Sequence, residues 1–361
     1  MISPSTPPAR PLTERVAAPK QLAVPPSRSE FQWRSLVPQD LDSLFALVTE
    51  CETHDDPPYR TTKDELWEDV FVGPGKEPSS NTLAAIAPTG HVLAYGRARV
   101  LPGDERTVRA FLGGGVHPEV RRRGLGTDLL TWQTGRARQL LAESGKDLPG
   151  RIATYVEDGM ADQVAVLTAA GFAPKRYYTE MRRDLSREIP RIKLDASLTL
   201  EPWRAELDDQ VRLAHNEAFA DHWGSEPLSP ETWMEGAQHF APQWSFIVMD
   251  RSTDRTRVAG YLISGRYEQD WPALGYTVGY SDLLGVRREW RGRQVATALL
   301  TAAMSAYAAD GMQYAGLGVD TDNPSGAFGL YERLGYDTTR GSALHSIETQ
   351  PAPRPSQRRD P

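Results

Sequence analysis

Gly115-Val116-His117-Pro118-Glu119-Val120-Arg121-Arg122-Arg123-Gly124-Leu125-Gly126-Thr127 and Gly285-Val286-Arg287-Arg288-Glu289-Trp290-Arg291-Gly292-Arg293-Gln294-Val295-Ala296-Thr297 align without a gap. Each follows an apolar run that reads as a strand, Val108 to Val116 and Thr277 to Val286, and each opens a helical run. In the first helix Leu125, Leu129 and Trp132 share a face; in the second Leu299, Ala302, Ala303 and Ala306 do. The start of a helix carries amide N–H groups without acceptors and the positive end of the helix dipole, so it is a natural anion site. Small residues let a phosphate approach the backbone closely. Arg121, Arg122 and Arg123, or Arg291 and Arg293, add charge-assisted donors. No Gly-Lys-Ser/Thr follows, so this is not a P-loop, and the spacing is not that of a dinucleotide fingerprint. Once, such a loop reads as an ordinary surface turn; its recurrence in equivalent positions favours function.

Working outward, the flanks repeat as well. Phe31 to Val37 and Leu198 to Trp203 read as first strands. Each precedes an amphipathic helix, Gln39 to Glu50 or Glu206 to Ala220, then a second short helix. Strand runs follow, and beyond the long helix each copy has a further strand, Arg151 to Val156 or Tyr314 to Val319. A short helix then ends in a Gly–aromatic pair, Gly171-Phe172 or Gly335-Tyr336, where glycine suits a left-handed helix end. The pattern predicts two α/β domains of like topology: residues 29–186 and 198–349, joined by a linker at 187–197. Residues 1–28 and 350–361 are dense in Pro, Ser, Ala or Arg and are expected to be disordered tails.

Composition limits the function. The chain has 361 residues, and its 41 Lys and Arg are outweighed by 48 Asp and Glu, a formal charge of -7 that argues against general nucleic-acid binding. The lone cysteine, Cys51, excludes an intrachain disulfide or a Cys-based metal site and sits in no nucleophile motif. His215 and His222 have no third ligand at metal spacing, so no metal is expected. No apolar run approaches a membrane span and no secretory leader is legible, so a cytoplasmic location is expected.

Both copies resemble the GNAT acetyltransferase superfamily, whose signature Gln/Arg-x-x-Gly-x-Gly/Ala follows the fourth strand and binds the pyrophosphate of acetyl-CoA. Arg121-x-x-Gly124-x-Gly126 matches in full; Arg291-x-x-Gln294-x-Ala296 departs at the middle glycine. The resemblance implies two tandem GNAT domains, each a mixed, mostly antiparallel sheet flanked by helices. It implies acetyl-CoA contacts from Leu284, Gly285, Val286, Arg291, Gly292, Arg293, Gln294, Val295, Ala296, Thr297 and Asn323 in the second domain. In the first it implies contacts from Val116, Arg121, Arg122, Arg123, Gly124, Leu125 and Gly126.

The second copy also carries Asn323-Pro324-Ser325-Gly326-Ala327-Phe328-Gly329-Leu330-Tyr331-Glu332-Arg333-Leu334-Gly335-Tyr336. By the resemblance, Tyr331 protonates the leaving thiolate, which is general acid catalysis. The first copy has Leu167 and Gly159 opposite Tyr331 and Asn323, and leucine donates no proton. On the fourth strand Asp282 is the candidate to relay the amine proton or, alternatively, to order a loop; the first copy has no carboxylate there. The arrangement resembles tandem members such as mycothiol synthase, and Ala218 to His222 is similar to their substrate-side helix. Tyr280 stands where that family has a glutamate on the fourth strand. These features predict acetyl transfer to a primary amine, of a small molecule, in the second domain, with the first degenerate. The rival expectation is a CoA-binding pseudoenzyme or sensor. A monomer or homodimer is expected, without nucleic-acid or membrane partners.

Overall fold

The strands form where Val, Leu, Ile, Ala and aromatic residues recur in runs bounded by Gly, Pro or Asp. In the computed structural model, which describes residues 11–73, 75–233, 237–322 and 326–349, they are β1 (Gln32–Arg34), β2 (Thr82–Ile86), β3 (Val92–Val100), β4 (Val108–Val116), β5 (Gly150–Glu157), β6 (Ala173–Asp184), β7 (Leu198–Pro202), β8 (Phe246–Asp250), β9 (Arg257–Gly265), β10 (Val278–Val286), β11 (Tyr314–Asp320) and β12 (Asp337–Thr349). Every residue of β2 is buried, as expected of a strand covered on both faces. The helices of seven residues or more are α1 (Leu41–Asp55), α2 (Lys63–Phe71), α3 (Leu125–Glu143), α4 (Ala161–Ala169), α5 (Asp208–Ala218), α6 (Val295–Ala309) and α7 (Ala327–Arg333). Thr62 starts α2 through a capping box: its Oγ1 accepts from the Glu65 amide, and Glu65 accepts from the Thr62 amide at 2.6 Å.

The separate sheets expected of two domains are one sheet of twelve strands, ordered β1-β2-β3-β4-β5-β12-β6-β11-β10-β9-β8-β7. The order reads the same from both edges once each strand is replaced by its counterpart in the other copy. The last strand of each half has crossed over. β12 pairs with β5, β6 pairs with β11, and β6 and β12 run antiparallel at the centre. The physical reason is that two similar halves offer each final strand a choice of two equivalent edges. Exchange satisfies the same backbone groups and fuses the sheets.

Each half is covered on both faces. In the first, α1 and α2 place Leu44, Leu47, Leu66 and Val70 on Ala84, Ile86 and Tyr95, while α3 covers the opposite face through Leu125, Leu129 and Trp132. In the second, Val211 and Ala214 of α5 lie on Ile247, Met249 and Tyr261, and α6 covers Val248, Ala259 and Leu262.

The N-terminal tail expectation needs correction over residues 11–28. Leu12 and Val16, one helical turn apart, are fully buried with Leu141 and Ile152. Arg15 donates to the Leu148 carbonyl at 2.9 Å, and Arg138 to that of Val16 at 2.6 Å. Two well-spaced apolar residues suffice to dock a Pro-rich segment, and average composition hides them. Residues 1–10 and 350–361 lie outside the described residues.

Candidate active site

β10 and β11 run parallel and pair only from Val278↔Tyr314 to Ser281↔Leu317. Beyond that point β10 continues to Val286 against β9, and β11 to Asp320 against β6. The strands therefore splay, leaving the β11-facing edge of Asp282 to Val286 without a strand partner. Pairing with β9 shifts register between Ser281 and Leu283, a bulge that places Asp282 at the opening. β4 and β5 part in the same way after Phe111↔Ala153. Leu284, Gly285 and Val286 line the edge of the second opening, and Val116 ends the edge of the first.

The two loops that follow are conformational copies. Positive φ occurs at Arg122 (62°) and Gly124 (92°) in the first, and at Gly292 (76°) and Gln294 (60°) in the second. Glycine has thus changed places between two left-handed positions, and exposed Gln294 takes the conformation that the signature glycine takes at Gly124. In each loop the first hydrogen-bonded turn begins one residue later: Ala298 N–H reaches Gln294 O at 2.9 Å and Asp128 N–H reaches Gly124 O at 3.0 Å. The amides of Val295, Ala296 and Thr297, and of Leu125, Gly126 and Thr127, have no acceptor among the described residues.

The arginine side chains of both loops have protein partners. Arg121 Nε donates to Val116 O at 3.0 Å, and its two Nη atoms to Asp55 at 2.6 and 2.7 Å. Arg291 Nε donates to Val286 O at 3.2 Å and Nη2 to Ala218 O at 2.9 Å. Each thus ties its loop to the C-terminal end of α1 or α5. Arg293 is held by Asp195 at 2.8 Å, Arg122 by Asp162 at 3.0 Å, and Arg123 bonds the Glu119 carbonyl. In each loop the free donors are therefore the amides at the helix start, and the arginines shape the loop.

Alternation divides the second-half site between two sheet faces. Ser281 turns to α6, where its hydroxyl meets Tyr307 at 3.1 Å. Tyr280 and Asp282 turn the other way. Tyr267 Oη donates to Asp282 at 2.8 Å, and Tyr280 Oη donates to Glu180 of β6 at 2.8 Å; the two tyrosine rings meet edge to face. Asp282 keeps solvent access at the opening while protein crowds its other sides. That burial pushes its pKa up to about 7; the Tyr267 hydroxyl pulls back, and Glu180 adds to the rise. Burial also raises Glu180, and with the charges of Glu180 and Asp158 it brings Glu157 up to about 7.

Tyr331 approaches from the opposite face, where α7 packs into the cluster shared with α6. It is buried, lies edge-on to Tyr336 at 5.9 Å, and burial raises its pKa to about 12, so it is protonated at neutral pH. Equivalent backbone bonds, Tyr336 N–H to Tyr331 O at 3.1 Å and Phe172 N–H to Leu167 O at 3.0 Å, place Leu167 at the same position in the first half. Asn323 lies outside the described residues.

Each half also reaches across the other. From the second half, Trp223 sits between the Arg151 and Arg176 guanidinium groups, 4.0 and 4.5 Å from its ring centre. Buried Glu226 accepts from the Glu105, Arg106 and Thr107 amides at 2.8 to 2.9 Å. From the first half, the Arg60 amide donates to Asp270 at 2.7 Å, and Glu65 meets His239 at 2.9 Å beside Tyr267. Sequence reasoning missed Glu180, Tyr267 and His239. Glu180 stands 100 residues from Tyr280, and only the exchanged strand joins them. Among the described residues no group of three or more His, Cys, Asp or Glu is placed to hold a metal, and no helix is long and apolar enough to cross a membrane.

Comparison with known proteins gives the same reading. The model of the acetyltransferase (GNAT) family matches residues 209–336. A mycothiol acetyltransferase of Gordonia bronchialis is 27% identical over 279 residues, 73% of this chain and 83% of that protein. One from Salinispora arenicola is 30% identical over 233 residues, 61% and 67% of the two chains. A GCN5-related N-acetyltransferase structure from Sphaerobacter thermophilus superposes with a TM-score of 0.66 at 25% identity, covering 91% of this chain and 98% of that one. A tandem GNAT protein from the clavulanic acid biosynthesis pathway gives 0.62 at 16% identity, covering 90% and 100%. With the splayed strands, the repeated anion loops and these likenesses in agreement, the chain belongs to the GNAT acetyltransferase family, as a tandem member and an acyltransferase.

Proposed function

We propose that this protein transfers the acetyl group of acetyl-CoA to a primary amine of a small molecule, and that the reaction takes place in the second half. The observation that carries the reading is the opening between β10 and β11, which has a carboxylate, Asp282, at its rim and acceptor-free amides at the start of α6; Tyr331, protonated at neutral pH, lies in the buried cluster against which Leu284 and Val286 of the free edge pack. The donor set fits a CoA thioester. The amides of Val295, Ala296 and Thr297, with loop residues Gly292, Arg293 and Gln294, suit the pyrophosphate. The free edge at Leu284, Gly285 and Val286 suits the amide-bearing pantetheine arm and the thioester carbonyl. Asn323 is proposed to steady the same arm, and Arg291 to hold the loop.

Asp282 receives the acceptor's ammonium group and takes part in relaying its proton. Tyr331 donates a proton to sulfur as the C–S bond breaks. Most of the acceleration comes from holding amine and thioester together. The first half is a degenerate copy: Val116, Arg121, Arg122, Arg123, Gly124, Leu125 and Gly126 keep the loop for CoA, but Leu167 offers no acid. The likeness to mycothiol acetyltransferases supports a small-molecule acceptor. The test is acetyl-CoA turnover against a panel of small amines, read by thiol release. Thiol release that depends on an amine supports the reading; tight acetyl-CoA binding without turnover of any amine replaces it with the CoA sensor.

A further inference from the structure

We propose that the first half completes the second half's site: Glu180, on the exchanged strand β6, positions the Tyr280 hydroxyl and takes up through it the proton that the acceptor amine loses. This rests on the amine acetylation proposed above and names where the proton goes.

The geometry begins with β6, which lies beyond β11, the far edge of the opening. Glu180 pairs in register with Gly318 of β11, the first residue beyond the point where β10 and β11 part. Tyr280 lies across β11 to reach it, in a trough made by two glycines. A Cβ at Gly316 would come within 3.0 Å of the Tyr280 ring; one at Gly318 would come within 3.0 Å of its hydroxyl and 2.9 Å of Glu180 Oε1. Neither glycine has positive φ, so space, not backbone conformation, requires them. Four residues on three strands are thus fitted to bring one hydroxyl against one carboxylate. Both Tyr280 and Glu180 are half-buried and keep partial solvent access.

The surroundings of Glu180 suit a proton acceptor better than a structural ion pair. Among the described residues its carboxylate has the Tyr280 hydroxyl as its side-chain partner and no cation within salt-bridge distance. Asp282 of β10 and Glu157 at the end of β5 are the carboxylates near it; Tyr267 lies against Asp282, and Asp158 against Glu157. Arg340 of β12 lies nearer Glu157 and donates to the Asp56 carbonyl, and His239 lies nearer Asp282. Burial of a carboxylate that has no cation beside it makes a proton welcome there, with the Tyr280 hydroxyl pulling the other way.

The protons balance. The acceptor arrives as an ammonium ion. One N–H proton passes to the Tyr280 oxygen as the tyrosine's own proton passes to Glu180, leaving a neutral amine and a carboxylic acid. The nitrogen lone pair forms the C–N bond, the C–S bond breaks, and Tyr331 protonates the thiolate. The second proton lost by nitrogen reaches Tyr331 through water, and Glu180 returns its proton to solvent. In this division Asp282 holds the ammonium, and Glu180 acts as a positioning residue through Tyr280.

The experiment measures kcat and KM from pH 5.5 to 9.5 with acetyl-CoA and the fastest amine of the panel. It compares wild type, Glu180→Gln, Glu180→Asp and Tyr280→Phe, each checked by thermal melting. Glu180→Gln should lower kcat roughly 10²-fold at pH 7. KM for acetyl-CoA should be unchanged, and the deficit should shrink as pH rises toward the amine's own pKa. Tyr280→Phe should match it, the double variant should lose no more, and Glu180→Asp should recover part. If Glu180→Gln does not fold, Tyr280→Phe alone decides by the same readouts. A wild-type kcat and acid limb in the tested variant, or a loss equal at every pH, overturns the proposal while leaving the acetyltransferase reading in place. Absence of wild-type turnover with every amine overturns both.

Discussion

Tyr331 and Asp282 sit on opposite faces of one sheet, and that separation assigns them different measurements. Tyr331 is held protonated by its burial, so its loss should touch the chemical step. Tyr331→Phe keeps the ring and should lower kcat by roughly 10²–10⁴-fold while leaving acetyl-CoA affinity within about twofold, measured by turnover and by calorimetry. In the proposed reaction Asp282 meets the ammonium, so its loss should touch KM for the amine. With its pKa raised to about 7, the free enzyme holds the carboxylate form above pH 7 and loses it below. Wild-type KM for the amine should therefore climb about tenfold per pH unit below 7. In Asp282→Asn it should be high and flat across that range; a pH-dependent KM like that of wild type would remove Asp282 from amine recognition. Both candidates could be named from the sequence because each stands inside or beside a motif. The pairing of Glu180 with Tyr280 could not: nothing local marks it, and topology supplies the partner. The role of Arg291 in tying its loop back onto Val286 O was not legible for a related reason, since a string of residue types does not say which way a guanidinium reaches.

At the scale of elements, the paired loops explain why the signature tolerates a glutamine. The conformation needs two left-handed positions, and glycine at either one relieves part of the strain. Gly292→Ala leaves the second loop with two non-glycine residues at positive φ. It should destabilise the protein by about 1 kcal/mol in chemical unfolding and raise KM for acetyl-CoA. Gly124→Leu places the same kind of strain in the first loop. Turnover should then stay within about threefold of wild type, because the amides at α6 are untouched. If Gly124→Leu abolished activity and Gly292→Ala did not, the working half would be the first. Most elements were readable from period and punctuation: the second short helix expected in the first copy is α2, Lys63–Phe71. The first strand, expected from Phe31 to Val37, pairs only over Gln32–Arg34, because Leu36 already bonds the Thr82 hydroxyl. The docked turn at Leu12 escaped notice because two apolar residues make no periodic run.

At the scale of the molecule, the halves are not separable parts. β6 lies between β12 and β11, so a fragment ending near residue 186 would lack the neighbour of β5, and one beginning near 198 would lack Glu180. Either fragment alone should show loss of cooperative melting and no turnover. Co-expressed, the two should reassemble and recover activity; an active isolated 198–349 fragment would show that β6 is dispensable. Which edge a final strand joins could not be read, because both offer the same apolar alternation and register. The exchange also imposes an order on synthesis. When β6 leaves the ribosome, the strand destined to separate it from β5 is still unmade, and Leu185 to Tyr336 must be translated first. At ~5–20 residues per second the wait is roughly ten to thirty seconds, during which β5 presents an open edge beside its covalently nearest substitute, β6. The nascent chain must hold off that hairpin, or undo it, before β12 can enter. Folded yield is then a kinetic quantity, set by translation speed and chain concentration as much as by stability.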